Sequence, residues 1–131
     1  MYVAVGDGGA ILSSTDTITW APRPSVTTNR LNAVRFGNSG FVAVGEGLAG
    51  APSTILNSVD GVKWVKGTSP VTNALNGVCH LSGRYVAVGS GGIILTSTNG
   101  LNWASIQTGA PNNLNGVEAG SFMGLFCSPI P

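Results

Sequence analysis

Residues 2–6 read Tyr-Val-Ala-Val-Gly, and the phrase recurs as Phe-Val-Ala-Val-Gly at residues 41–45 and as Tyr-Val-Ala-Val-Gly at residues 85–89. Each copy leads into a Ser-x-(Asp/Asn)-x-x-x-Trp box, at residues 14–20, 58–64 and 97–103. A Leu-Asn-x-Val tetrad begins 11 residues after each Trp, at Leu31, Leu75 and Leu114. The chain is therefore built from three copies of one unit of about 40 residues.

The middle unit predicts four short strands joined by tight turns. The strands are expected at residues 31–36, 41–44, 54–58 and 62–65. Short β-branched and aromatic segments between Gly, Asn and Asp turns are typical of an antiparallel meander, and no segment has a helical period. A single meander cannot bury both faces, so the units must stack on one another. The sequence predicts an all-β chain of three four-stranded β-propeller blades.

The composition restricts the classes of function. Asp, Glu, Lys and Arg make up only 8% of the 131 residues, whereas about 25% is usual in a soluble domain. A neutral polar surface of this kind favours an extracellular or virion setting, or a packed assembly, over the cytoplasm. The six basic residues are scattered along the chain, which disfavours nucleic acid as a partner. No apolar run reaches the length of a membrane span.

Cysteine and metal patterns add little. Cys79 and Cys127 permit one disulfide without demanding it, and no Cys/His spacing for zinc is present. The glycine turn at residues 6–9 is followed by no helix, so it does not predict a phosphate loop. We therefore expect no metal and no cofactor.

Residues 58–64, Ser-Val-Asp-Gly-Val-Lys-Trp, together with the preceding Phe-Val-Ala-Val-Gly, resemble a blade of the BNR/Asp-box type of β-propeller. Blades of this kind occur in sialidases, photosystem II assembly factors and bacterial and phage surface proteins. The resemblance covers the chain from Tyr2 to about Val117. Here the box is one residue shorter than the usual Ser-x-Asp-x-Gly-x-Thr-Trp. Asn99 stands in place of Asp in the third copy, and Thr17 in place of Gly in the first.

The resemblance implies two structural roles within the box. The third residue of the box caps the turn between the two outer strands, a role for Asp16, Asp60 and Asn99. The Trp packs between neighbouring blades, a role for Trp20, Trp64 and Trp103. Elementary chemistry agrees, because a short polar side chain bonds backbone N–H groups two residues on and a large aromatic fills the space between twisted sheets.

The strand order predicts a circularly permuted repeat. The units span about residues 2–30, 31–74 and 75–113, followed by a closing strand at 114–119 and a degenerate strand at 122–127. The closing strand could serve as the inner strand of the blade that opens at Tyr2. Three blades do not easily close a ring, and exposed faces and edges favour association. A homodimer that forms a six-bladed ring, another assembly or filament, and a fragment of a longer protein all remain open.

A catalytic constellation is not evident. The chain has one histidine and five acids, and no nucleophile-elbow pattern. A sialidase-type enzyme, the fair catalytic alternative, needs clustered arginines and a Tyr nucleophile supported by Glu. Tyr2 and Tyr85 occupy a repeat position that also accepts Phe41, which indicates packing. We therefore predict no catalytic residue and no enzyme.

Candidate binding residues are those that differ between copies at equivalent positions. They are Asp7, Glu46 and Ser90 in the Gly-rich turns, and Arg35, His80 and Glu118 on the innermost strands; the alternative interpretation is solvated turns and a salt bridge. The sequence favours a non-enzymatic structural or adhesive module of a virion, cell-surface or extracellular assembly. The alternatives are a lectin-like or peptide-binding propeller and, less favoured, a sialidase-type fragment.

Overall fold

The computed structural model describes residues 1–120 and contains three antiparallel sheets. Sheet 1 consists of β1 (Tyr2–Val5), β2 (Ile11–Ser14) and β3 (Ala21–Pro22). Sheet 2 consists of β4 (Leu31–Gly37), β5 (Gly40–Gly45), β6 (Ile55–Ser58) and β7 (Val65–Lys66). Sheet 3 consists of β8 (Leu75–Leu81), β9 (Arg84–Gly89), β10 (Ile94–Ser97) and β11 (Ala104–Ile106). Strands that follow one another in the chain are neighbours in each sheet, so the prediction of an all-β antiparallel chain is confirmed.

The outermost strand of sheet 2 differs from the sequence prediction. It was expected at residues 62–65, but β7 begins only after Trp64. The N–H groups of Val62 and Lys63 donate to the Asp60 carboxylate at 2.9 and 3.1 Å. Because these donors serve the turn, they are not free to pair with β6, and the strand starts later.

Sheets 2 and 3 have the same register between their first and second strands, β4–β5 and β8–β9. We call the first strands, β4 and β8, the inner strands. Leu31 lies opposite Gly45 and Phe36 opposite Phe41, just as Leu75 lies opposite Gly89 and His80 opposite Tyr85. Both inner strands also shift register at the Asn of the tetrad, between residues 31 and 33 and between 75 and 77. A β-bulge re-aims the side chain that it carries, and here it turns the Asn towards the next unit.

The bulged asparagines join consecutive inner strands. Asn32 Nδ2 donates to the carbonyl oxygen of Leu75 at 2.9 Å, and Asn76 Nδ2 donates to that of Leu114 at 3.0 Å. Each bond connects the inner strand of one unit to the start of the next tetrad. The repeated Asn thus sets the spacing between neighbouring units.

The core consists of two layers between the sheets. Alternate side chains of a strand point to opposite faces, so each sheet has a front face, towards the preceding unit, and a rear face. One layer packs the front of sheet 2 on the rear of sheet 1; its buried members are Ile11, Leu31, Phe41, Ala43, Leu56 and Trp64. The other packs the front of sheet 3 on the rear of sheet 2, and includes Val42, Val44, Ile55, Tyr85, Ala87, Leu95 and Trp103.

Residues 114–119 follow sheet 3 as a segment without regular secondary structure. The N–H of Leu114 donates to the Gly89 carbonyl at 3.0 Å, but 114–119 belongs to no strand of the described chain. A strand needs a ladder of partners on a neighbouring strand, and none of the described strands is paired with this segment. The degenerate strand expected at 122–127, and with it Cys127, lies outside the described residues. Cys79 is buried on β8, and burial raises the pKa of its thiol.

Candidate functional site

The three Ser-Asp/Asn boxes form turns of the same construction. In the second box Asp60 accepts from two backbone N–H groups, and the Ser58 hydroxyl accepts from the Gly61 N–H at 2.8 Å. Trp64 Nε1 donates to the Gly61 carbonyl at 3.3 Å. Asp16 and Asn99 make the equivalent bonds in the other two boxes. These contacts are those of a turn cap, the role that the resemblance implies.

Hydrogen bonding also lowers the pKa of the two box carboxylates. Bonds from the N–H groups of Thr19 and Ile18 lower the pKa of Asp16, and bonds from Val62 and Lys63 lower the pKa of Asp60. Both carboxylates accept hydrogen bonds from the N–H groups of their own turns. Among residues 1–120 no three His, Cys, Asp or Glu side chains gather as a metal site.

The turn residues Asp7, Glu46 and Ser90 occupy equivalent places on three different sheets. Asp7 forms an exposed ion pair with Arg30 at 2.9 Å. Glu46 and Ser90 are anchored through their backbones, since their N–H groups donate to the carbonyls of Arg30 and Ala74 at 2.9 Å. Asp7 and Glu46 therefore share one partner, Arg30, through its side chain and its carbonyl, whereas the Ser90 N–H bonds the separate carbonyl of Ala74.

The inner-strand candidates divide into two places. Arg35 Nη2 and Glu118 Oε1 come within 3.9 Å of each other, and both side chains remain largely exposed. His80 points elsewhere: its Nε2 pairs with Asn38 Oδ1 at 2.7 Å, and its ring packs edge-on against Tyr85. His80 therefore belongs to the contact between sheets 2 and 3 and is not grouped with the Arg35–Glu118 pair.

The front face of sheet 1 is the main departure from the repeat. It carries Tyr2, Ala4, Leu12 and Trp20. Tyr2 is 53% exposed, whereas Phe41 and Tyr85 at the same repeat position are 9% and 0% exposed. Trp20 is 38% exposed, against 5% for Trp64 and 9% for Trp103. Trp20 therefore departs from the expected packing between units, because no sheet of the described chain lies against this face.

The first sheet also has an edge, along β1, that no described strand pairs with. β1 pairs with β2 alone in the described residues, whereas β5 and β9, which carry the same phrase, each pair on both sides. The face and the edge together form one continuous apolar and hydrogen-bonding surface, which we call the β1 surface. The sequence identified Tyr2 and Trp20 as core; the signal for their exposure was the missing inner strand of the first unit.

A groove of about 520 Å³ lies where the outer parts of sheets 2 and 3 meet. Its exposed apolar residues are Val59, Val65 and Leu101, with Asp60 and Lys63 beside them. Asn57 also lines it; its Nδ2 donates to the Gly100 carbonyl, and its buried Oδ1 has no hydrogen-bond partner among the described residues. Sequence reasoning missed this groove, because its lining includes the box residues Ser58, Asp60 and Asn99, which the sequence had assigned to turns.

Comparisons with protein-family models, curated proteins and solved structures find no match to this chain. Within residues 1–120 no helix is long and apolar enough to cross a membrane. The repeat geometry and the β1 surface are therefore the basis for a functional proposal.

Proposed function

We propose that the chain is a non-enzymatic, circularly permuted β-propeller module with a structural or adhesive role in a virion, cell-surface or extracellular assembly. The observation that carries the proposal is the β1 surface: a sheet face of Tyr or Phe, Ala, Leu and Trp that is exposed in sheet 1 and buried in sheets 2 and 3. A contiguous apolar face of this kind marks an interaction surface. A free strand edge next to it adds backbone donors and acceptors for a partner.

The low charge of the chain supports the same role. With 8% charged residues, the surface has few groups that must keep their hydration when two proteins meet. The units stack by apolar contacts inside the chain, and a further unit would extend that series. Two three-blade arcs would complete a six-bladed ring, and a longer series of copies would make a filament or lattice.

The experiment that tests this role changes the charge of the face. Leu12→Lys places an ammonium group on the front of sheet 1, which is expected to abolish association of the purified chain, followed by sedimentation velocity. Ile18→Lys is the matched control, because Ile18 is 83% exposed but lies in the box turn. Equal loss in both variants, or no loss in either, would contradict a specific role for this face.

The absence of catalysis is tested separately. The purified chain is expected to leave a fluorogenic sialoside intact, because Tyr2 and Tyr85 occupy a repeat position that also accepts Phe41. Hydrolysis that persists through purification and is lost on Arg35→Ala would replace the structural proposal with an enzymatic one.

A second role, lectin-like or peptide-binding, is favoured by the groove between sheets 2 and 3. Its apolar residues and the Asp60 and Lys63 side chains offer a stacking surface and two charged groups to a glycan or peptide. Binding on a glycan or peptide array should then be weakened by Leu101→Asp, with Ile106→Asp as an exposed control outside the groove lining. Blank arrays at high protein concentration count against this second role.

A further inference from the structure

The glycine that closes the repeated phrase has different surroundings in the three sheets. A Cβ on Gly45 would overlap the carbonyl oxygen of Arg30, and one on Gly89 would overlap that of Ala74. In both sheets the residue before the inner strand sits directly on the glycine. A Cβ on Gly6 would meet no atom of residues 1–120 within 4 Å. Gly6 therefore retains a space that its two counterparts fill with a backbone carbonyl.

The same chain carries the segment that fits this space. Leu114 begins the third tetrad and is preceded by Asn113, as Leu31 is preceded by Arg30 and Leu75 by Ala74. The segment is already placed beside β8 by the bond from Asn76 to the Leu114 carbonyl at 3.0 Å. The segment thus lies next to β8, where the inner strand of a following sheet would lie. Sheet 3 cannot use the segment as its inner strand, because β8 already has that place.

The register follows from the two complete sheets. Leu31 and Leu75 each lie opposite the motif glycine, and Phe36 and His80 each lie opposite the motif aromatic. With the same offset, Leu114 lies opposite Gly6 and Ala119 opposite Tyr2. The Asn113 carbonyl then occupies the space over Gly6.

We propose that residues 114–119 of one copy of this chain form the inner strand of sheet 1 in a second copy. The front of sheet 1 then packs on the rear of sheet 3 of the donating copy. This inference rests on the proposed structural role and adds the partner, the two faces and the register. Asn115 continues the series of Asn32 and Asn76, and its amide donates to the Leu31 carbonyl of the copy that receives the strand.

The partner is a second copy because the chain already contains this junction twice. The rear of sheet 2 presents Val42, Val44 and Ile55 to the front of sheet 3. The rear of sheet 3 presents Val86, Val88 and Ile94 at the same repeat positions, and Val86 and Ile94 are only half-buried. The front of sheet 1 repeats the Tyr, Ala, Leu and Trp of sheet 3. Two copies that each give and receive one strand form a closed pair.

Gly6→Ala gives a clean test of the junction. Gly6 has φ −170°, an extended conformation open to any residue, and its Cβ would be unobstructed in the isolated chain. The methyl group would instead collide with Asn113 of the second copy. We expect the wild-type chain to sediment at twice its 13.2 kDa or more, and Gly6→Ala to weaken association by about tenfold or more. Ile18→Ala, at a side chain that is 83% exposed in the box turn, should leave it unchanged.

Mixing two blocked variants tests the head-to-tail arrangement. Gly6→Ala blocks the receiving surface, and Val86→Lys places a charge on the donating rear face. Each variant alone should be monomeric, with unchanged circular dichroism. Their equimolar mixture should form a heterodimer, because each retains the surface that the other lacks. No recovery on mixing overturns the head-to-tail junction.

A disulfide trap tests the register. Tyr2→Cys combined with Ala119→Cys should crosslink two chains under mild oxidation, because residues directly opposite in a sheet meet the distance limit of a disulfide. Ala4→Cys with Ala119→Cys is two residues out of register and should not; the single variants measure the background from Cys79 and Cys127. A monomeric wild type, or a crosslink within one chain, overturns the proposal; the crosslink within one chain would instead place that chain's own residues 114–119 along β1. Association without the in-register crosslink overturns the junction but leaves the structural role in place, whereas sialoside turnover would remove that role itself.

Discussion

At the scale of single residues, the box turn depends on one backbone conformation that its sequence does not always favour. The residue after the capping Asp or Asn has a positive φ: 80° at Gly61, 75° at Gly100 and 69° at Thr17. A β-branched residue in the left-handed region is strained, while glycine adopts it freely. The first box therefore carries strain that the other two avoid.

Thr17→Gly should relieve that strain. We expect the free energy of unfolding to rise by about 0.5–1 kcal/mol, seen as a higher urea midpoint with an unchanged slope. Ile18→Gly, the next residue of the same turn, has no positive φ to relieve and should leave stability unchanged or lower it. A Thr17→Gly variant no more stable than wild type would contradict the strain.

The two box carboxylates predict how stability depends on pH. The folded pKa of Asp16 and of Asp60 lies below the ordinary 3.8, because backbone N–H groups bond the ionised form. Their contribution is therefore fully present above the unfolded pKa and is lost as pH falls through the folded pKa. Asn99 makes the same bonds without a titrating group.

The double variant Asp16→Asn and Asp60→Asn should consequently make the free energy of unfolding less dependent on pH in the acid range. Urea midpoints measured between about pH 6 and pH 2 are expected to fall less steeply for the variant than for the wild type. Glu118→Gln is the control, since Glu118 is exposed and only distantly paired with Arg35. An identical decline in the variant and the wild type would show that these turns do not titrate as described.

At the scale of elements, two of the glycines that end the Val-Ala-Val-Gly phrase lie in close contact with the backbone that leads into an inner strand. Gly45 and Gly89 lie against the carbonyls of Arg30 and Ala74, and the neighbouring Glu46 and Ser90 N–H groups bond those same oxygens at 2.9 Å. A methyl group at either position must displace an inner strand. The identical sequence at Gly6 has no such neighbour in the described chain.

Gly89→Ala should lower the free energy of unfolding by about 2 kcal/mol or more through overpacking. Gly6→Ala should change it by no more than about 0.5 kcal/mol. Both are to be measured by urea unfolding at protein concentrations low enough to keep the chain monomeric. Equal costs at the two positions would mean that the inner edge of β1 is already occupied.

Much of the element level could be predicted from the sequence, because period-2 apolar strands and Gly, Asn or Asp turns encode local geometry directly. The two inner strands and both motif strands lie where the repeat placed them. The outer strand at Val65–Lys66 was misplaced, because Asp60 withdraws N–H groups that a strand would use. The place of His80 was also beyond sequence reasoning, since its contact with Asn38 crosses from one sheet to another.

At the scale of the whole molecule, the three sheets differ in how many of their faces are covered by other sheets. Sheet 2 is covered on both faces, and the buried Ala43 and Val44 on its motif strand are the result. Tyr2 and Trp20 show that the front of sheet 1 has no such cover in the described chain. Repeat stacks need capping or continuation at an uncovered face, and the proposed junction supplies continuation by a copy of the same chain.

The chemistry of that junction predicts how solution conditions act on assembly. Its faces are Tyr, Ala, Leu and Trp against Val and Ile, so screening of charges should matter little. We expect the dissociation constant, measured by sedimentation equilibrium, to change by less than about threefold between about 0.05 and 0.5 M NaCl. Sodium sulfate should tighten association, because it strengthens apolar burial, and Gly6→Ala should show no comparable gain at the same concentrations. A steep loss of association with NaCl would instead place the contact at charged residues, and away from the apolar face of the β1 surface.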